Sequence, residues 1–278
     1  MRAPPLSTDS HPPALRAVLT RRSAVAGLFG FALAGCGGGT GEPFEGSIDS
    51  GTVGSRSTGT DYPLRLYLPP ASAGPRGELP VVYLLDGETW FDTLVDFAEA
   101  SRTRVIIVGI GTAGQRNRDF VPANTCSAGG GGQAAYFDFL RLELIPYVEG
   151  TFGGHPGRRA LFGHSHGGSF VLFAMFSEPA DRHSFAACLS CDASIGCMVP
   201  SAYGWEASYA ALYPTLPVRL HLSYASAGNA AANMAYADPI AQRDYRDLTF
   251  VAQVYPGTHG GIVPQALADA VAFAFAGG

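Results

Sequence analysis

Two apolar runs limit what this chain can fold into before any motif is considered. "LPVVYLLDG" (residues 79–87) and "RVIIVGIG" (residues 104–111) show no alternation of apolar and polar positions. A strand that is apolar on both sides has to be covered on both faces, which is the condition inside a parallel sheet flanked by helices. Further strands are expected in "LRLYLP" (64–69), "RRALFGHS" (158–165), "SFAACLSCD" (184–192), "PVRLHLSYA" (217–225) and "TFVAQVYPG" (249–257). Between them "AAYFDFLRLELIPYVEGTF" (134–152) and "VPQALADAVAFAFA" (263–276) carry apolar residues at helical spacing. "DPIAQRDYRDL" (238–248) reads as a short helix capped by Asp238, with Pro239 in its first position. No internal repeat is visible. The pattern predicts one α/β domain over 46–278, a mostly parallel, doubly wound sheet with helices on both faces.

The first 35 residues do not fit this pattern. An arginine pair (Arg21, Arg22) precedes a short apolar run that ends in Leu33-Ala34-Gly35-Cys36. A run of about a dozen apolar residues is too short to span a bilayer, which takes ~20. The arginine pair resembles a twin-arginine export signal, and Leu-Ala-Gly-Cys resembles a bacterial lipobox that makes Cys36 the lipidated first residue. The glycine-rich stretch 36–45 reads as a flexible tether. These features predict an exported cell-envelope lipoprotein, periplasmic or at the cell surface, held at the membrane by a lipid on Cys36 alone.

Removing residues 1–35 takes away four Arg and one Asp, leaving 14 Arg and 22 acidic residues, a formal charge of −8. An acidic chain without basic clusters is a poor nucleic-acid binder. All 18 basic residues are Arg, so Schiff-base chemistry and a Walker-type phosphate loop, both of which need lysine, are excluded. Beyond Cys36 lie Cys126, Cys188, Cys191 and Cys197. Their spacing does not resemble a closed zinc site, and an even count in an exported protein points to disulfides. Three connectivities are open; Cys191 with Cys197 closes the shortest plausible loop.

"RALFGHSHGGSFVLF" (159–173) places Gly-x-Ser-x-Gly between a predicted strand and a predicted helix. That context matches a nucleophile elbow, whose turn is too tight for side chains beside the serine. Gly163, Gly167 and Gly168 satisfy it, making Ser165 the candidate nucleophile. The helix beginning near His166 aims its first N–H groups at a developing oxyanion. The His166 N–H is one expected donor, and the N–H of Glu88 or Gly87, in the turn after 81–85, is the other. His164 and His166 flank the serine and leave the elbow in other directions. His11 falls in the leader, His155 and His183 at the opposite sheet edge, and His221 inside a strand. His259, in the loop after the last strand, remains as the base, in the α/β-hydrolase order of Ser before His. The glycine run Gly129–Gly132, inside an irregular segment from 111 to 133, is read as a mobile rim of the site.

"LPVVYLLDGETW", "RNRDFVP", "FLRLELIPYVE", "GHSHGGSF" and "YPGTHGGIVP" occur in the order seen in the Putative esterase family of α/β-hydrolases. The chain resembles that family from about residue 46 to its end, most of all the siderophore-esterase branch. The family also holds feruloyl esterases, S-formylglutathione hydrolases and mycolyltransferases. The resemblance matches Ser165 to the nucleophile, His259 to the general base and Asp86-Gly87 to the oxyanion turn. Arg116, Arg118 and Asp119 match an Arg/Asp-rich element that either meets an anionic substrate or forms a structural ion pair. One departure stands out: members often carry an acid shortly after the strand that here is "VRLHLSYA", and this chain reads "SAGNAAANMAYAD" instead. The acid is then Asp192, between two cysteines able to pin its loop, or the enzyme works as a Ser–His dyad.

The resemblance implies ester hydrolysis through an acyl-enzyme, acting on small-molecule esters of siderophore or aromatic type without metal or cofactor. Acyl transfer at the same Ser–His site and a non-catalytic surface binding protein on a hydrolase fold are the competing expectations.

Overall fold

The computed structural model describes residues 17–21, 43–123, 125 and 127–276, the first of these segments as backbone only. Among them one nine-stranded sheet organises the chain: β1 (Ala17–Arg21), β2 (Ser47–Gly54), β3 (Asp61–Leu68), β4 (Val81–Leu85), β5 (Ile106–Ile110), β6 (Arg159–His164), β7 (Ala187–Cys191), β8 (Arg219–Ala227) and β9 (Thr249–Thr258). Their order across the sheet is β1-β2-β3-β5-β4-β6-β7-β8-β9. The β1–β2, β2–β3 and β3–β5 pairs are antiparallel and every pair from β5 to β9 is parallel.

The expected unbroken apolar strands are the central ones. All five residues of β4, β5 and β7 are buried. Alternate β4 side chains enter two separate cores: Val81, Tyr83 and Leu85 in one, Val82 and Leu84 in the other. The second core is closed by α1 (Gly87–Ala100) through Phe91, Leu94, Val95 and Ala98, and by residues 266–271 of the C-terminal helix. The first takes the remaining helices: α2 (Arg116–Phe120), α3 (Gln133–Asp138), α4 (Ile145–Phe152), α5 (His166–Phe176), α6 (Ile195–Met198), α7 (Ser201–Ala210) and α8 (Ala230–Gln242). The C-terminal helix is α9 (Val263–Phe275).

Several expectations need correction. Asp238 and Pro239 do not open a helix, because α8 already starts at Ala230, with Asn229 ahead of it, and carries Pro239 in its interior. The irregular segment 111–133 contains the short helix α2. The helix expected over 134–152 is interrupted by a π-helical stretch, Phe139–Leu144. There the buried Glu143 accepts the N–H groups of Arg56 and Ser57, both at 2.9 Å, tying this helix to the β2–β3 turn. Cys188 and Cys191 are free, buried thiols and Cys197 is disulfide-bonded, so Cys191 and Cys197 are not joined. The partner of Cys197, like Cys126 and Cys36, lies outside the described residues. The leader and tether readings also fall largely outside them; the exceptions are β1 and residues 43–45. No described helix is long and apolar enough to cross a membrane.

Backbone contact at the β4–α1 turn generates one prediction. A Cβ on Gly87 would stand 2.5 Å from Gly109 C and Ile110 N, backbone that cannot swing aside. Gly87→Ala is expected to lower the unfolding free energy in urea by about 1–3 kcal/mol. Gly77→Ala, whose Cβ meets open space, should stay within ~0.5 kcal/mol.

The half-buried His183 and the buried His221 generate a second. Burial pushes His183 and His221 down to about 4, against ~6.5 for an unfolded histidine. Between those values the unfolded chain binds protons that the folded chain refuses. Their effect on stability is therefore nil above about pH 6.5 and destabilising as pH falls toward 4. Urea midpoints measured from pH 7.5 to 5 should fall less steeply for His183→Asn than for the parent protein. Parallel curves would contradict the assignment.

Candidate active site

Three non-glycine residues with positive φ sit directly after three parallel strands. Asp86 (φ 53°) follows β4, Ser165 (φ 60°) follows β6 and Asp192 (φ 42°) follows β7. Such conformations cost of order 1–3 kcal/mol each and persist only where surrounding contacts enforce them. All three lie at the C-terminal edge of the parallel strands, where open α/β sheets place their ligands.

The serine turn is enforced by close packing and by hydrogen bonds. A Cβ on Gly163 would lie 2.3 Å from the Gly167 carbonyl, and one on Gly168 would lie 3.0 Å from Cys191 O. The Ser165 N–H donates to Cys191 O at 2.9 Å, and Ser165 O accepts from Ser169 N at 3.1 Å and Ser194 N at 3.2 Å. The Ser165 side chain is half-buried, its Oγ 3.2 Å from Ser194 Oγ. Helix α5 starts at His166, so its first N–H groups have no intrahelical acceptor. The same holds for Gly87 and Glu88 in the first turn of α1. The Glu88 side chain turns to Thr112, accepting its hydroxyl at 2.5 Å and its N–H at 3.2 Å.

His259 Nδ1 and Asp192 Oδ2 are 2.5 Å apart. The carboxylate is wholly buried, and two backbone groups compensate its desolvation. Oδ1 accepts from Ala225 N at 2.9 Å and Asn229 N at 3.1 Å, while Asn229 Nδ2 donates to Asp192 O at 3.0 Å. Ser223 O fixes the Asp192 N–H at 2.6 Å. The loop is therefore held by β8 and the start of α8, not by a cysteine clamp. A Cβ on Gly228 would fall 2.4 Å from Asp192 Oδ2, so no side chain fits there. Because a carboxylate only accepts, His259 Nδ1 carries the hydrogen and Nε2 is left as the basic nitrogen. His259 itself stays accessible, its side chain 41% exposed.

Arg116 forms a structural pair. Its Nε and Nη2 grip the two oxygens of the buried Asp86 at 2.6 and 2.9 Å, and Nη2 also donates to His164 O at 3.1 Å. One guanidinium thus ties the β4 turn to the end of β6. Burial raises the Asp86 carboxyl and Arg116 opposes the shift. Arg118 likewise pairs with the buried Asp119 at 2.7 Å and with Tyr62.

His164 is the residue that sequence reasoning set aside as a neighbour of the serine. Its Nε2 lies 2.9 Å from His259 O and its ring centroid 4.4 Å from that of His259. A carbonyl only accepts, so His164 is the neutral Nε2–H tautomer. Burial, and the proximity of His259 and Arg116, push it down to about 4. The only sequence signal was the histidine's position at the last residue of a buried strand.

The sheet order and the serine at the β6–α5 turn define an α/β-hydrolase fold. The chain belongs to the Putative esterase family, whose profile matches residues 55–249; His259 lies beyond the matched span. It is similar to the siderophore triacetylfusarinine C esterase of Aspergillus fumigatus, 34% identical, with 37% of this chain and 41% of that protein covered. It is also similar to the ferri-bacillibactin esterase BesA of Bacillus subtilis, 28% identical over 46% of this chain and 52% of that one. The chain thus spans about half the length, or less, of these curated relatives. Among solved structures an IroE-like serine hydrolase from Shewanella oneidensis superposes with a TM-score of 0.73, at 27% identity over 81% of this chain and 79% of that one. The BES protein from Bacillus cereus shares the fold, with a TM-score of 0.72 at 22% identity over 88% of this chain and 99% of that one.

The His164–His259 contact predicts separable effects. His164→Phe keeps an aromatic ring against His259 but has no donor, whereas His164→Gln keeps a donor. On p-nitrophenyl butyrate, His164→Phe should lower kcat about tenfold, roughly the 1.4 kcal/mol of one hydrogen bond, with KM little changed. His164→Gln should recover most of that loss. Equal losses in both would show that the ring, and not its donor, matters.

Proposed function

We propose that this chain is a serine esterase that cleaves carboxylic esters through an acyl-enzyme, with Ser165 as nucleophile, His259 as base and Asp192 as the orienting acid. The observation that carries this reading is the 2.5 Å contact between His259 Nδ1 and a fully buried Asp192, at the edge where Ser165 occupies its strained turn. It supports a triad over a dyad. In the proposed cycle Ser165 Oγ attacks the ester carbonyl carbon while His259 Nε2 takes its proton. Asp192 stabilises the imidazolium from the Nδ1 side. The negative charge on the carbonyl oxygen is met by the N–H groups of His166 and Glu88. The tetrahedral intermediate collapses, the alcohol leaves with the proton from Nε2, and an acyl group stays on Ser165. Water, deprotonated by the same nitrogen, then releases the acid and restores the serine.

Siderophore-type esters are the proposed substrates, supported by the names of the relatives from Aspergillus fumigatus and Bacillus subtilis. The proposed location is the cell envelope, with residues 1–35 as export signal, Cys36 as lipid anchor and 36–45 as tether. The support is the arginine pair, the apolar run and Leu-Ala-Gly-Cys.

Hydrolysis of p-nitrophenyl butyrate and labelling by a fluorophosphonate test the reading together. Ser165→Ala should abolish labelling, and it and His259→Ala should each lower kcat by ~10⁴-fold or more; Asp192→Asn should lower it by ~10²–10⁴-fold with KM nearly constant. Wild-type protein that neither labels nor turns over any ester would overturn the proposal. An Asp192→Asn variant as active as wild type would leave a dyad.

A further inference from the structure

The edge of the sheet opposite Ser165 has its own chemistry. The strand registers place Ser47 across from Leu68, Tyr67 across from Ile107, Val81 across from both Ile106 and Arg159, and Ala187 across from Arg219. The starts of β4 to β8 and the start of β2 therefore share one edge, and Ser165, Asp192 and His259 follow strands at the other. Chain arriving from residues 36–45 enters the domain on the far side from the serine.

Two shallow depressions of about 400 and 190 Å³ open on this edge and share Arg158 and Phe275. The larger adds Arg102 and Arg104 and the smaller Arg219, so four of the fourteen arginines of 36–278 line one continuous surface. Glu78 is the one carboxylate among the lining residues. This concentration contrasts with the −8 formal charge of the same span. Three of the arginines also lie over phenylalanine rings: Arg102 over Phe44 at 6.0 Å, Arg158 over Phe275 at 5.9 Å and Arg219 over Phe273 at 4.6 Å. Arg219 spends one donor on Phe273 O at 2.9 Å, and Arg104 spends one on Ala73 O. Arg104 and Arg219 thus keep most of their five N–H donors.

We propose that this edge docks on anionic phospholipid headgroups, holding the serine edge away from the membrane. Guanidinium suits the task, being weakly hydrated and matched to phosphate by its two-pronged geometry. Half-buried phenylalanines beside the arginines suit the boundary between headgroups and acyl chains. Each arginine near an anionic surface contributes an attraction that salt screens within a Debye length. The orientation relative to the membrane rests on the lipid-anchor reading given above. The headgroup affinity does not.

Sedimentation with vesicles tests the proposal on the full chain carrying Cys36→Ser, so that no acyl group can account for binding. The vesicles are phosphatidylcholine alone, or phosphatidylcholine with phosphatidylglycerol as one lipid in three. Binding is expected to the mixed vesicles only, and to be lost in high salt. Arg104→Gln/Arg158→Gln should bind about tenfold or more weakly. Arg65→Gln, which removes an exposed arginine paired with Asp92, should bind as the parent does. Arg158→Gln alone gives the same direction at smaller size if the double variant fails to fold. Equal binding to both vesicle types, no binding to either, or an unchanged double variant overturns the proposal. Retention on dextran sulfate without vesicle binding also overturns it and assigns the arginines to a soluble polyanion. Fluorophosphonate labelling of Ser165 is unaffected by either set of substitutions, so the loss of one reading is distinguishable from the loss of the other.

Discussion

The buried Asp192 carboxylate is the constraint around which the site is assembled. It sits at the end of β7 and takes hydrogen bonds from Ala225 in β8, from Asn229 ahead of α8 and from His259 beyond β9. A buried carboxylate without such partners costs several kcal/mol, so β7, β8 and β9 have to keep their register for it to be tolerated. The result is an imidazole whose proton position is set by an acceptor on one side. His164 sets its place along the chain on another, by holding the His259 carbonyl. Of the connections at this edge, the arrangement uses only the first residues after β8 and β9, Asn229 and His259.

A second clamp works on the serine side. Arg116 bonds to Asp86 and to the His164 carbonyl together, coupling the turn after β4 to the strand that ends at the serine. The two clamps meet at His164, whose ring holds the His259 carbonyl and whose own carbonyl is held by Arg116. That residue is kept neutral by burial and by two neighbouring positive or potentially positive groups. A neutral ring there adds no second charge beside the imidazolium that the proposed ester cleavage forms on His259.

Much of this was legible in the residue order, for physical reasons. The central strands are apolar on both faces, so β4, β5, β6 and β7 could be placed, and glycines around Ser165 mark a turn that admits no side chains. Other features depend on contacts between segments distant in sequence. β2 is a half-exposed strand, "SIDSGTVG", without a clear apolar pattern. Helix α8 absorbs Pro239 in its interior, where local rules place a helix start, because Asn229 is already fixed by Asp192. The free thiol of Cys191 shows that two cysteines close in sequence need not pair when a strand carries one of them into the core. His164 was discarded for its adjacency to the serine, which rules out one role and says nothing of others.

The positive-φ residues Asp86, Ser165 and Asp192 each stand one step beyond a buried central strand. Beyond them only a few loop residues, Arg116 on Asp86, Ser194 on Ser165 and Asn229 on Asp192, share the duty of holding them. The residues between α2 and α3, and the helices between β7 and β8 beyond Ser194, can lengthen, shorten or change composition while the strand ends stay where they are. Such a division lets selection retune what enters the cleft through insertions and deletions, with little disturbance of the strand ends, and makes loop grafting between relatives a reasonable route to new specificities.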